Sequence, residues 1–285
     1  MSKKKIGLAT LAKKKRAGER ITMLTAYDFP TAAIFDEADV DTILVGDSLS
    51  NVMLGYPDTV PVTMDEMLHH LRAVRRGVHH ALLIGDMPFG SFNVSVEEAI
   101  RNGVRFMKEG GAEAVKVEGG GPVADTIRAM VRAGLPVVGH LGLTPQTAGM
   151  IGGYRVQGDT AEKARVMIDH ALGLEDAGVF LLVLECVPAE VAQIITEKLS
   201  VPTIGIGAGP FCDGQVLVAH DILGIRARYM PRFVKAFAQV EREMRRAADE
   251  YCGEVRAGTF PSSEHTFAMP DDELRALRAS LDGTS

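Results

Sequence analysis

Five short apolar runs, each ending on an ionisable side chain, constrain this chain more than any other feature. They read ILVGDS (43–48), LLIGDM (82–87), AVKVEG (114–119), PVVGHL (136–141) and LLVLEC (181–186). All are rich in Val, Ile and Leu, too short for helices and bounded by Gly, Pro or turn residues, so they predict buried strands. Runs that are apolar on both faces suit a parallel sheet covered by helices. Each stops on a residue that a core would exclude: Asp47, Asp86, Lys116 with Glu118, His140 and Glu185. Burying ionisable groups one at a time is costly. If the strands are parallel, their C-terminal ends share one rim, and these side chains converge on a site.

Taken in order, ITMLTAYD (21–28) is a first strand and FPTAAIFDEA (29–38) a helix. The loop LSNVMLGYPDTVPVT (49–63) after the Asp47 strand is long for a compact domain, and such loops are usually functional. Thr63 with Glu66 forms a capping box for a helix running through 68–78, and Ser95 caps 96–111 with Glu98 in the same offset. Gly110-Gly111 ends that second helix. Further helices are expected at 123–134, 160–178 and 188–199, with a Gly-rich segment at 141–158. VPTIGIGAG (201–209) and QVLVAHDILGI (215–225) supply a seventh and an eighth strand. Eight strand–helix alternations predict an α/β fold of the (β/α)8 barrel type, with an open doubly wound sheet as runner-up. Residues 1–285 read as a single barrel domain, with 1–20 a basic arm or first helix. Residues 232–285 form a helical extension, with helices at 233–258 and 271–280 suited to subunit contacts.

The chain has 285 residues, 46% apolar and 24% charged, which is globular composition with ample core material. A net charge of −6 gives no reason to expect nucleic acid or an anionic membrane as partner. Cys186, Cys212 and Cys252 form no CxxC and are odd in number, which fits free thiols in a reducing compartment. No apolar run approaches the roughly 18 residues of a membrane span. The start, MSKKKIGLATLAKKKRAGER, lacks the apolar segment of a secretory signal. Its alternatives are an organelle transit peptide and, favoured here, an arm or helix packing under a barrel. The expected location is the cytoplasm.

In a barrel, residues at the C-terminal strand ends carry the chemistry. Asp47 and Asp86 leave adjacent strands after the same Gly-Asp dipeptide, which predicts neighbouring carboxylates. Such a pair repels unless a cation or proton sits between them. Hard oxygen donors, few enough to leave room for water and substrate, suit Mg²⁺, and Mn²⁺ equally. Glu118 is placed to join directly or through water. Each aspartate alone could instead merely cap the element that follows. Lys116 and Glu118, two apart on one strand, face the same side; the lysine either receives an anionic substrate group or forms an ordinary ion pair. His140 is open to polarising a carbonyl, donating to a carboxylate or being a satisfied interior histidine. Glu185, flanked by apolar residues, is a general-base candidate through desolvation, or else a further ligand or a partner for Lys116. IGIGAG (204–209) is not a dinucleotide fingerprint, since no acidic residue follows a second strand at the required distance. It is either a phosphate loop or close backbone packing. A carboxylate-held metal gripping a 2-oxo acid acidifies the adjacent C–H, and a separate carboxylate then removes the proton.

The stretches MLTAYD (23–28), VGDSLSNVMLGY (45–56), PVTMDEM (61–67), GDMPFGSF (85–92), AVKVEGG (114–120), GHLGLTPQ (139–146), GGYRVQG (152–158) and IGIGAGPFCDGQVLVAHDILG (204–224) together resemble the ketopantoate hydroxymethyltransferase family. They cover most of 20–225 in order; Phe92-Asn93 stands where the family often has Tyr-Gln, without consequence for the site. The resemblance implies a Mg²⁺-dependent barrel of the phosphoenolpyruvate/pyruvate type. It would transfer a one-carbon unit from 5,10-methylenetetrahydrofolate, as co-substrate, to 3-methyl-2-oxobutanoate in pantothenate biosynthesis. It implies Asp47 and Asp86 as metal ligands and substrate contacts, with Glu118 a further ligand. It also implies Ser48 and Lys116 at the substrate carboxylate, His140 in the pocket and Glu185 as base. It further implies a homodecamer. The alternatives are a metal-dependent 2-oxo acid lyase of the same barrel superfamily, or a non-catalytic barrel acting as a binding protein.

Overall fold

Eight parallel strands pair in sequence order, and the last returns to the first, so the sheet closes into a barrel. The strands are β1 (Ile21–Thr25), β2 (Thr42–Val45), β3 (Leu82–Asp86), β4 (Ala114–Glu118), β5 (Val137–Gly142), β6 (Leu181–Glu185), β7 (Thr203–Ile206) and β8 (Gly214–Leu217). The computed structural model describes residues 3–150, 153–225 and 231–282. Outside them lie the first two residues of the basic arm, Ile151 and Gly152 of the Gly-rich segment, residues 226–230 and the last three residues of the C-terminal extension. The chain divides into two units, Met1–Phe237 and Ala238–Ser285, a little beyond the change of character at Arg232.

Side-chain alternation along the strands sorts the core into two layers. Leu44, Leu82, Ile84, Ala114, Val138, Leu181 and Val183 belong to the cluster inside the barrel. Their neighbours Ile43, Val45, Leu83, Val115, Val117, Val137, Leu182 and Leu184 belong to the cluster between sheet and helices. Continuing the inward register two residues at a time leads from Ile84 to Asp86, from Ala114 to Lys116 and Glu118, from Val138 to His140, and from Val183 to Glu185. The ionisable residues therefore form the top layer of an interior whose lower layers are apolar.

The bottom is closed by the chain start. Helix α1 (Leu8–Ala17) inserts Leu11, with none of its surface exposed, into the inner cluster. Lys5 pairs with Glu113 at 2.6 Å, Lys15 with Asp213 at 2.8 Å, and Lys14 with Asp41. These three acids stand immediately before β4, β8 and β2, so the lysines latch the N-terminal strand ends.

β1 stops at Thr25, short of the expected 28, because Asp28 accepts from the Thr31 amide at 2.8 Å and caps α2 (Phe29–Glu37). The loop after β2 opens with a short helix, α3 (Leu49–Val52), and Thr63 and Glu66 form the expected capping box on α4 (Met64–Gly77). Helices α5 (Val96–Lys108), α6 (Ala124–Arg132), α7 (Ala161–Ala177) and α8 (Ala189–Lys198) follow β3 to β6. The regular alternation then fails. The link 207–213 between β7 and β8 is too short for a helix, and the segment expected to be an eighth strand through 225 turns after Leu217 into α9 (Ala219–Leu223). In the second unit, α10 (Val240–Ala257) starts later than expected and ends on Gly258 in the left-handed conformation, and α11 spans Asp271–Asp282.

Candidate active site

At the C-terminal end of the barrel, Asp86, Lys116, Glu118 and His140 are each no more than 4% exposed and touch one another. Lys116 Nζ lies 2.9 Å from Asp86 Oδ1, 3.2 Å from His140 Nδ1 and 3.9 Å from Glu118 Oε1. His140 Nδ1 is 3.3 Å from Glu118 Oε1, and its Nε2 is 3.2 Å from Glu185 Oε2. Asp86 Oδ1 and His140 Nε2 thus face charged partners within ion-pair distance, yet neither is aligned as a hydrogen bond. Glu185 is the more accessible, with 18% of its side chain exposed. The structure contains no Lys116–Glu185 ion pair among the described residues; the partner of Glu185 is His140.

Asp47 arrives differently from what the shared Gly-Asp dipeptide suggests. Asp86 ends β3, whereas β2 stops at Val45, so Asp47 lies in the turn beyond the strand. Its main-chain N–H donates to Asp86 Oδ2 at 3.0 Å, so the two residues meet through the backbone of one and the carboxylate of the other. Ser48 follows in the same turn, and its hydroxyl shares a 2.8 Å hydrogen bond with the fully buried Tyr27.

Burial pushes the Asp47 carboxyl up to about 6, aided by the Glu118 charge and opposed by Lys116. Burial likewise pushes Asp86 up to about 7, against Lys116 and with Asp47. Burial works against the Lys116 ammonium, but Asp86, Glu118 and Asp47 outweigh it and hold the group protonated beyond its ordinary range. For His140, burial and the Lys116 charge favour the neutral ring. The Glu118 and Glu185 carboxylates outweigh them, and the pKa rises to about 9. The protonated ring has a carboxylate within ion-pair distance of each nitrogen, Glu118 at Nδ1 and Glu185 at Nε2.

The mouth is short of positive charge. Formally, four carboxylates (Asp47, Asp86, Glu118, Glu185) face two cations (Lys116, His140⁺), a net of −2. Asp86 Oδ1 and Glu118 Oε1 are buried without a hydrogen-bond partner. Hard oxygen donors that outnumber the cations beside them, two of them on carboxyls raised by burial, fit one divalent cation. Among the described residues no three His, Cys, Asp or Glu side chains are gathered as a ready-made cage. A cation here would take few protein ligands and keep positions for water and substrate, the usual manner of Mg²⁺.

Two residues of the site were not singled out from the sequence. Tyr27 reads as part of the first strand and Gln146 as part of the Gly-rich segment; both lie in stretches that resemble the family, and what they touch is what marks them. The Gly-rich loop after β7 is explained by packing. Gly207 and Gly209 have φ of +62° and +74°, and a Cβ there would sit 2.8 Å from the Phe233 ring and 2.5 Å from Ala189 Cβ.

A family model described as ketopantoate hydroxymethyltransferase matches residues 5–263. The 3-methyl-2-oxobutanoate hydroxymethyltransferase of Heliobacterium modesticaldum is 56% identical over 274 residues, covering 96% of this chain and 99% of that one. The protein of the same name from Moorella thermoacetica is 55% identical over 263 residues, covering 92% and 98%. Among solved structures, phosphonopyruvate hydrolase superposes with a TM-score of 0.61 at 12% identity, over 97% of this chain and 96% of its own. The phosphoenolpyruvate mutase/isocitrate lyase superfamily member 2,3-dimethylmalate lyase gives 0.57 at 14%, over 96% and 98%. At such identities the two solved structures speak to the fold alone.

Proposed function

Since this chain belongs to the ketopantoate hydroxymethyltransferase family, we propose that it carries a hydroxymethyl unit from 5,10-methylenetetrahydrofolate to 3-methyl-2-oxobutanoate, giving 2-dehydropantoate. The observation that carries the metal and proton-transfer parts of this reading is the acidic mouth, in which four carboxyl groups face two cations, with Glu185 at its more open edge.

Asp47 and Asp86 would hold Mg²⁺, with Glu118 joining through water. Bound there, the ion would supply Lewis-acid polarisation of the 2-oxo group, which acidifies the C3–H bond. The Lys116 ammonium, kept charged by three carboxylates, attracts the substrate carboxylate. Ser48 offers its hydroxyl to the same group, oriented by Tyr27. The Glu185 carboxylate takes the C3 proton, and His140 holds that carboxylate on its inner side. The electron pair left on C3 would form the bond to the methylene carbon as one of its two C–N bonds breaks, and the proton taken from C3 would pass to the nitrogen released. Water would then supply the hydroxyl as the second C–N bond breaks, its other proton going to that nitrogen, so that tetrahydrofolate departs and the transfer balances.

The proposal includes the cytoplasm as the site of action and a homo-oligomer, a decamer by likeness to the family. Met244, Tyr251 and Val255 stand 58%, 58% and 45% exposed on α10, an apolar face available for subunit contacts. No helix among the described residues is long and apolar enough to cross a membrane.

The test follows C3–H exchange of 3-methyl-2-oxobutanoate in heavy water, with and without Mg²⁺, for wild type and Glu185→Gln. Metal-dependent exchange that disappears in the variant, with 2-dehydropantoate formed only on adding methylenetetrahydrofolate, is the expected result. Exchange persisting in Glu185→Gln would remove Glu185 as base. Cleavage of the oxo acid without folate would make the protein a lyase.

A further inference from the structure

Gln146 has no part in the chemistry above, yet it is 4% exposed and reaches three strand ends at once. It stands in the 3₁₀ turn Pro145–Thr147 that follows β5. Its Nε2 donates to Asp47 Oδ2 and to the Met87 carbonyl, both at 3.0 Å. Its main-chain N–H donates to Glu118 Oε2 at 3.2 Å. Asp47 sits on a turn, where no strand ladder aims its side chain. Among the described residues, Gln146 alone hydrogen-bonds to its carboxylate.

The amide has one tenable orientation. Flipped, its oxygen would face a carboxylate and a carbonyl, neither of which can donate. Oε1 therefore points away from both; it is buried and has no hydrogen-bond partner. A buried amide oxygen without a donor is uncommon in folded proteins and asks for an explanation such as an ordered water or ligand.

We infer that Gln146 is the positioning residue of the acidic cluster: it fixes the Asp47 carboxylate against β3 and β4, and its Oε1 accepts from a water ordered there when a divalent cation is bound. The second half rests on the metal reading above; the first does not. An amide suits the place because its nitrogen satisfies acceptors without adding charge, and its oxygen adds an acceptor without adding a fifth carboxylate.

The test uses the full-length protein with Gln146→Met, which keeps the length and removes both donors. Gln146→Asn, one methylene shorter and still polar, carries the same test if the first variant does not fold. Crystal structures without metal report the place of Asp47, and calorimetric titration with MgCl₂ reports the dissociation constant, beside wild type and Asp86→Asn. In the Gln146 variant the Asp47 carboxylate is expected to leave its place and Mg²⁺ to bind at least ~10-fold more weakly. At saturating Mg²⁺, kcat is expected to recover while the KM for MgCl₂ stays raised, a split that simple loss of folded protein would not produce. Asp47 in its wild-type place, or an unchanged dissociation constant, overturns the inference. If wild type binds no Mg²⁺, or Asp86→Asn binds it as wild type does, the metal reading has failed, and the position of Asp47 alone decides.

Discussion

His140 Nε2 lies 3.2 Å from Glu185 Oε2, close enough for an ion pair but not aligned as a hydrogen bond. The imidazole thus attracts the carboxylate and restrains it without saturating it, leaving the outer side free to face substrate. Removing the ring should cost orientation. His140→Asn is expected to slow C3–H exchange by about 100-fold, the scale of a misplaced catalytic group. Unchanged exchange in heavy water would mean that Glu185 is held by something else.

The raised carboxyls predict how stability depends on pH. Asp47 and Asp86 rise from an ordinary 3.8 to about 6 and about 7 in the fold. Between these limits the folded state binds more protons than the unfolded one, so metal-free protein should lose stability as pH climbs from about 4 to 7. Mg²⁺ should cancel that loss, so the gain in Tm on adding it should grow with pH across the window. A gain independent of pH would detach the cation from these two groups.

His140 predicts a loss at higher pH. Its pKa rises from 6.5 to about 9 in the fold. The stabilisation is therefore complete below about 6.5 and disappears as pH passes through about 9. Urea unfolding of wild type and His140→Asn should converge above that point; parallel profiles across the whole range would contradict the charged ring.

Lys116 is the cation within reach of both Asp86 and Glu118. Lys116→Met leaves those buried carboxylates with less compensation and is expected to cost about 3–5 kcal/mol, the usual penalty for breaking a buried pair. Denaturant titration measures it, and a variant as stable as wild type would show that the lysine serves substrate alone.

At the other end of the barrel, Leu11 fills the inner cluster with none of its surface exposed. Leu11→Ala is expected to cost about 2–5 kcal/mol while the turnover of folded enzyme stays at the wild-type level. A variant that keeps its stability and loses turnover would reverse the division between a structural bottom and a chemical top.

Much of the site was written locally. Alternation along a strand is a property of a few consecutive residues, so Asp86, Lys116, Glu118, His140 and Glu185 were bound to the inner face once the five runs were strands. The stretches that resemble the family contain four of these, Asp86, Lys116, Glu118 and His140, but not Glu185. The N-terminal caps at Thr63 and Ser95 were equally legible, because a cap and its partner lie three residues apart. The missing helix between β7 and β8 was not, since a Gly-rich run does not say where a strand stops.

Which cation meets which acid was decided elsewhere. Lys116 pairs with Asp86 across β3 and β4, and His140 bridges Glu118 and Glu185 across β4, β5 and β6. These choices depend on the stagger imposed by barrel closure, which no local pattern records. Asp47 enters on a turn, and Gln146 comes from a segment about a hundred residues away. Sequence alone determined the side chains that line the mouth, because facing is set by backbone geometry within each strand. Only the closed barrel decided their partners, because distances between strands are set by how all eight fit together.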